Sequence, residues 1–350
     1  MKALVYHAPG NISLEDKPKP EIIEATDAIV RITTTTICGT DLHILKGDVP
    51  TIEDGRILGH EGVGIIEEIG KDVTGFKKGD KVLISLITSC GRCSFCKKGM
   101  YSHCKNGGWM LGNSIDGTQA EYVKIPFADN GLYLLPADAD EEAAVMLSCI
   151  LPTGLECGTL KGQVNPGDIV AIVGAGPVGL ATLLTTKLFS PAKIIMIDID
   201  DNRLEIASSF GATNTINSSD GKAVEMVMKL TDYAGVDVAI EAVGLAATFD
   251  ICQSIITPGG NLANIGVHGQ SVELHLEKLW SDNITLTTRL VDASTTPILL
   301  KMVQTGKLKA KKLVSHHFEL TEMLKAYDTF KNAAKAHALK VVIKNTSTNV

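Results

Sequence analysis

The chain has 350 residues, 45% hydrophobic and 21% charged, with a formal net charge of −7. This is a globular composition with room for two domains and no basic cluster to suit nucleic acid. The N-terminal MKALVYHAPG lacks the apolar run of a signal peptide, and the longest apolar stretch, Ile169 to Leu184, is broken by glycines and a proline, so a cytoplasmic protein without a membrane partner is expected.

Residues 1 to about 150 read as short strands and turns. Ala28–Ile32 and Lys81–Ile84 are strand-like, and Gly59, Gly62, Gly64 and Gly70 punctuate the segment between them, which predicts an irregular β-rich domain. Between these runs lies Cys38-Gly39-Thr40-Asp41-Leu42-His43. A Cys38 thiolate can bind zinc, a Thr40 hydroxyl can hydrogen-bond an alcohol beside it, and His43 can carry a proton to water. Asp41 can orient a second metal ligand from behind. Gly59-His60-Glu61 adds an imidazole and a carboxylate able to enter the shell transiently. Cys149 stands just ahead of Pro152-Thr153-Gly154. Cys38, His60 and Cys149 together make a set with a fourth position open to water or substrate, as at a catalytic zinc. Read singly, Cys38 is a buried thiol near a turn and His60 a structural histidine.

Cys90, Cys93, Cys96 and Cys104 crowd into fifteen residues. Four thiolates in one loop match a closed structural zinc site, giving two zinc ions per chain; an iron–sulfur cluster uses the same ligand type. Cys157 and Cys252 fit no pattern and read as small buried hydrophobes.

The pattern changes near Thr153. Strand candidates Ile169–Val173, Lys193–Ile199, Thr213–Ile216, Val236–Glu241, Asn261–Ile265 and Ile284–Arg289 alternate mainly with helical stretches such as Pro177–Leu188 and Asp220–Thr231. That alternation predicts an α/β fold with a doubly wound parallel sheet, the Rossmann arrangement, over residues 151–290. Two further helical stretches and a last strand, Leu339–Ile343, return the chain to the first domain, which then comprises 1–150 and 291–350.

Gly174-Ala175-Gly176-Pro177-Val178-Gly179 follows the first of these strands and opens a helix. Gly174 makes the tight turn, Gly176 lets backbone approach a pyrophosphate, and Gly179 permits close packing of helix on strand. Asp198 closes the next strand, 19 residues past Gly179. Its carboxylate can accept from both ribose hydroxyls of NAD and would repel the 2′-phosphate of NADP; Arg203, five residues on, leaves NADP as the less favoured alternative.

With these residues in place, the sequence resembles the zinc-dependent medium-chain alcohol dehydrogenases over nearly its whole length. The family's GHExxGxxxxxG signature matches Gly59 to Gly70, and the four-cysteine lobe, the glycine turn and the acid at Asp198 match in order. The resemblance implies a GroES-like catalytic domain carrying an inserted Rossmann domain. It implies a catalytic zinc on Cys38, His60 and Cys149, Thr40 on the substrate oxygen and His43 in a proton relay. Thr153 and Val178 would lie at the nicotinamide, the backbone of Ile265, Gly266 and Val267 at its carboxamide, and Lys340 at the pyrophosphate. Leu86 and Trp109 fall where members line the substrate pocket, although Trp109 also reads as a core aromatic.

The implied reaction is reversible hydride transfer from a primary or secondary alcohol to NAD+, giving an aldehyde or ketone. Polyol, butanediol or threonine dehydrogenases of the same family share the CGTDLH hexapeptide and stay open. A non-enzymatic, zinc-stapled dinucleotide-binding protein need not keep Cys38, Thr40, His43 and His60 together. The implied partners are small alcohols and carbonyls, and further copies of the chain in a dimer or tetramer.

Overall fold

The computed structural model describes residues 1–346, which fold as two compact units. The first holds Met1–Cys149 and the segment from Asp292 onward; the second holds Ile150–Val291.

The first unit begins with β1 (Lys2–Ala8), β2 (Asn11–Asp16), β3 (Ala28–Thr36), β4 (Arg56–Ile57), β5 (Gly62–Ile69), β6 (Lys81–Ile84), β7 (Tyr122–Ile125) and β8 (Leu132–Leu134). β1 lies between β2 and β4 in a small antiparallel sheet, while β3, β5, β6 and β8 pair antiparallel in succession and β7 adds to β3. Alternate side chains enter one core: Val30 and Ile32 from β3, Val82 and Ile84 from β6, Val123 and Ile125 from β7. Each such side chain contributes about 1.5–3 kcal/mol when fully buried. The apolar run at Ala28–Ile32 understates β3, which continues through four threonines to Thr36. Their β-branched side chains suit a strand, and the last two hydroxyls bond Glu61 rather than water.

The second unit contains β9 (Ile169–Val173), β10 (Lys193–Asp198), β11 (Asn214–Asn217), β12 (Val236–Glu241), β13 (Ile256–Asn264) and β14 (Thr285–Thr288). All neighbours are parallel, in the order β11-β10-β9-β12-β13-β14. The order reverses between β9 and β12, the switch point at which doubly wound sheets take a ligand. Gly174 follows β9 at φ +108°, and a Cβ there would meet Val243 Cγ2 at 2.6 Å. The helix Pro177–Thr186 starts with proline in its first turn, where no amide hydrogen is needed. Two boundaries differ from the apolar pattern. β13 starts five residues early, accommodating Pro258 and Gly259 through a register shift against β12. The next helix is Ala223–Leu230, because Asp220 accepts from the Lys222 amide and holds the residues before it in a turn.

The chain then returns to the first unit. β15 (Val314–Glu319) runs parallel to β16 (Lys340–Lys344), and β16 pairs antiparallel with Thr34–Thr36 of β3. Between them the helix Met323–Lys331 buries Met323, Ala326, Tyr327 and Phe330, the spacing of one helical face, against Leu4, Ile37, Ile44 and Val341.

Candidate active site and metal centres

The first centre is local. The sulfurs of Cys90, Cys93, Cys96 and Cys104 lie within 4.8 Å of one another. Two single 3-10 turns, Cys96–Lys98 and Tyr101–His103, fold the loop back so that the Cys90 amide reaches Cys104 Sγ at 3.2 Å. Backbone amides of Cys96 and Lys105 pull the Cys93 thiol down to about 6, whereas burial pushes Cys96 up to about 12. Four sulfurs with no carboxylate among them fit a closed tetrahedral zinc site.

The second centre draws on segments far apart in sequence. β3 ends just before Cys38, which precedes the helix Gly39–Lys46. Asp41 turns back from that helix and accepts the Cys38 amide on Oδ2 at 2.8 Å. Its other oxygen, Oδ1, faces His60 Nδ1 at 3.9 Å. Gly59 sets up His60: its φ is +93°, and a Cβ there would meet Gln119 Cγ and Thr118 Oγ1 at 2.5 and 2.8 Å. Glu61 follows, wholly buried. Its Oε2 accepts from Lys340 Nζ at 2.5 Å and from the Thr36 hydroxyl, while Oε1 has no hydrogen-bond partner among the described residues. Cys149 closes the set, and ligand atoms of Cys38, His60, Glu61 and Cys149 all lie within 4.8 Å of one another.

The electrostatics of this pocket suit a dication. The hydrogen bond from Cys149 holds the Cys38 thiol well below its usual range and raises Cys149. Burial works against a charged His60, but the Cys38 thiolate, Asp41 and Glu61 outweigh it and push His60 up to about 9. Burial pushes Asp41 up to about 6. At neutral pH the pocket therefore keeps its balance with protons on His60 and Cys149, the protons a zinc ion displaces on binding. The donor set and the unpartnered Glu61 Oε1 both fit that ion.

Thr40 Oγ1 sits 3.7 Å from Cys38 Sγ. His43 Nδ1 bonds Asp48 Oδ2 at 2.8 Å, and its side chain is 36% exposed. Trp109 meets the His60 ring edge-on at 6.1 Å and donates its indole N–H to the Leu111 carbonyl; Leu86 is buried.

Lys340 requires a correction. Expected on a cofactor pyrophosphate, it is instead a fully buried side chain whose ammonium is spent on Glu61 Oε2 and, at 2.9 Å, on the Ile37 carbonyl. Burial lowers its pKa, but Glu61 and Cys38 more than compensate, and the ammonium stays charged.

In the second unit, Asp198 accepts from the Ala175 amide at 2.6 Å and from the Asp200 amide at 3.0 Å, which anchors it at the glycine turn. Arg203 lies 4.0 Å from both Asp198 and Asp200. A Cβ at Gly179 would run into the Gly174 carbonyl, whereas one at Gly176 would meet nothing, leaving an open backbone approach above the turn. Pro177 and Val178, beside that turn, are half-buried, and Val267 is exposed. The Ile265 and Gly266 amides donate to the Glu241 carbonyl, and Thr153 closes the helix Ile150–Thr153. This cradle fits a dinucleotide pyrophosphate. Cys157 and Cys252 are buried.

Three residues outside any motif complete the metal pocket: Thr36, Gln119 and Tyr327. The hydroxyl of Tyr327 donates to Gln119 Oε1, and Gln119 Nε2 donates to Asp41 Oδ2. In the sequence all three sit among other polar residues, and no local signal marks them.

Two family models match the chain: an alcohol dehydrogenase GroES-like domain over residues 24–137 and a zinc-binding dehydrogenase domain over 177–305. The structure is similar to zinc dependent alcohol dehydrogenase 2 from Streptococcus pneumonia in its apo form, with 58% identity, full coverage of both chains and a TM-score of 0.96. An alcohol dehydrogenase of Cupriavidus necator is 37% identical, with 98% of each chain covered. A sorbitol dehydrogenase of Bacillus subtilis is 31% identical over 98% of this chain and 97% of its own.

The Glu61–Lys340 pair yields a direct test. Lys340→Met keeps most of the length of the side chain and removes its charge, leaving Glu61 Oε2 without its ammonium partner. Removing one member of a buried pair costs about 3–5 kcal/mol, so urea unfolding should show a loss of that order. Glu61→Gln combined with Lys340→Met should recover part of it.

Proposed function

The chain belongs to the zinc-dependent medium-chain alcohol dehydrogenases, and on that premise we propose that this zinc-dependent alcohol oxidoreductase converts primary or secondary alcohols to aldehydes or ketones, reversibly, with NAD+. The observation that carries the reading is the convergence of ligand atoms of Cys38, His60 and Cys149 with a Glu61 carboxylate oxygen, Glu61 Oε1 having no hydrogen-bond partner among the described residues. We assign Cys38, His60 and Cys149 to a catalytic zinc and Cys90, Cys93, Cys96 and Cys104 to a structural one, two ions per chain. His60 turns Nδ1 toward Asp41, so Nε2 is the nitrogen assigned to the metal. When bound, zinc supplies a Lewis acid for the alcohol or carbonyl oxygen, and the nicotinamide takes up or supplies the hydride.

The chain's own residues move the proton and hold the substrate. Thr40, beside Cys38, takes the proton from the alcohol hydroxyl and passes it toward His43. The Asp48 carboxylate fixes the His43 ring, and the partial exposure of that ring lets the proton reach water. Leu86 and Trp109 wall the substrate side with apolar surface. Glu61 Oε1 would be available to the metal, since Lys340 and Thr36 hold Oε2.

Gly174, Gly176, Pro177, Val178 and Gly179 would cradle the NAD pyrophosphate, Asp198 its adenosine ribose, and Thr153 with the Ile265–Val267 backbone its nicotinamide. Arg203 is poorly placed to favour NADP, because two carboxylates already neutralise it. The likeness to a sorbitol dehydrogenase supports polyols as a second substrate class, to be separated by rates over 2-propanol, ethanol and sorbitol. Among the described residues no helix is long and apolar enough to cross a membrane. The edge strand β14 and the segments flanking it expose Leu276, Trp280, Leu286 and Leu290, which supports assembly with a second copy as a dimer or tetramer.

Three outcomes test these assignments. Thr40→Val should reduce single-turnover NADH formation by ~10²–10⁴-fold, the usual contribution of an acid–base step, while Thr40→Ser retains most of it; equal rates in Thr40→Val and wild type would exclude Thr40 from the proton path. Asp198→Gly should narrow the preference for NAD over NADP in kcat/KM, and a wild type that prefers NADP would refute the assignment. Trp280→Glu with Leu286→Lys should shift the species seen by light scattering to a smaller one; an unchanged mass would exclude this edge as the interface.

A further inference from the structure

We propose that Tyr327 and Gln119 are positioning residues for the catalytic metal centre, locking the Asp41 carboxylate that in turn orients His60. The inference rests on reading Cys38, His60 and Cys149 as zinc ligands.

Tyr327 belongs to the helix Met323–Lys331 and stands 208 residues from Gln119. Its neighbours on that helical face are Met323, Ala326 and Phe330, in an apolar cluster with Leu4, Ile37 and Val341. Packing alone would be met there by phenylalanine. A buried phenol hydroxyl is costly unless bonded, and this one donates to Gln119 Oε1 at 2.8 Å.

Gln119 is fully buried, and its Nε2 donates to Asp41 Oδ2 at 3.1 Å and to the Thr36 carbonyl at 3.2 Å. A flipped amide would turn its own oxygen onto a carboxylate and a carbonyl, both acceptors. The amide nitrogen must therefore face Asp41, its oxygen must face Tyr327, and the phenol must donate. The two acceptors thus select one of two orientations for Gln119, and Tyr327 holds it there by donating to the amide oxygen.

That orientation matters at Asp41. The Cys38 amide already donates to Oδ2 at 2.8 Å. One donor leaves the carboxylate free to rotate about its terminal bond. A second donor on the same oxygen removes that freedom and keeps Oδ1, which has no hydrogen-bond partner among the described residues, on the His60 side, 3.9 Å from Nδ1. A carboxylate behind a metal-bound imidazole fixes its tautomer and raises its basicity. Gln119 also supports the backbone entering His60, because its Cγ fills the space a Cβ at Gly59 would occupy. One side chain therefore sets both the path of the chain into His60 and the acceptor behind the ring.

The test measures zinc, not turnover. Zinc release to a chromogenic chelator is followed in wild type, and the phase missing from His60→Ala is assigned to the catalytic site. Tyr327→Phe removes one oxygen and should speed that phase, and weaken zinc affinity, by about tenfold; Gln119→Met should do so by up to ~100-fold, the range seen when outer-shell partners are lost. The phase from the four-cysteine lobe should not change. Phe330→Leu, on the same helix, should lower the melting temperature of the zinc-stripped protein without altering release. Wild-type release rates in both Tyr327→Phe and Gln119→Met would overturn the inference, as would an equal acceleration in Phe330→Leu, which would reduce the role of Tyr327 to packing. A wild type with no phase sensitive to His60→Ala would instead overturn the zinc reading itself, and the inference with it.

Discussion

The charge of Glu61 and its neighbours is the constraint on which the catalytic unit is built. Cys38, Asp41, Glu61 and Cys149 share one pocket with His60 and Lys340 as the cationic groups beside them. Two like charges 4 Å apart repel by about 4 kcal/mol at an effective dielectric near 20, so the four acids cannot all ionise without a further cation. Lys340 answers Glu61, His60 keeps its proton, and Cys149 stays a thiol. Under the proposed zinc assignment, one dication would replace the last two arrangements.

The balance explains why the chain closes on its own beginning. Lys340 is 279 residues from Glu61, and β16 is held in place by pairing with β3, the strand that also supplies Thr36. The second unit, Ile150–Val291, intervenes between Cys149 and this return. The four-cysteine lobe has no such dependence: its ligands come from one loop, and backbone amides rather than distant side chains prepare its sulfurs. One centre is self-contained; the other needs both ends of the catalytic unit.

The same difference decides what the sequence revealed. The cysteine lobe and the Gly174–Gly179 turn are legible because spacing along a short loop determines which atoms can meet. Five of the six parallel strands are legible to within a residue at their N-terminal ends, because each is a short apolar run; β13 is not, because Pro258 and Gly259 hide its first half. The polar end of β3 escapes for a related reason: its threonines are selected by Glu61 as well as by the strand. The resemblance places Lys340 at the cofactor because a matched position gives the backbone location of a long side chain but not its direction. Burial and a carboxylate partner settle that direction, and neither is written in the residues around position 340. Gln119 and Tyr327 lie outside every motif, and the bond between them depends on a helix docking that no local pattern encodes.

The two arms behind the metal ligands meet in one residue. The Thr36 hydroxyl bonds Glu61, and its carbonyl accepts from Gln119, the side chain that orients Asp41. A shift at the end of β3 therefore reaches the carboxylate beside His60 and Glu61 at once. Both arms also end in the C-terminal segment, one at Lys340 and the other at Tyr327. The catalytic pocket thus draws its supporting contacts from β16 and the helix Met323–Lys331, whereas the four sulfurs of the cysteine lobe all come from residues 90–104. Under the proposed zinc assignment, metal affinity at Cys38, His60 and Cys149 would be a property of the completed unit, because a ligand set assembled over long sequence separations must meet its closure entropy before its contacts repay it.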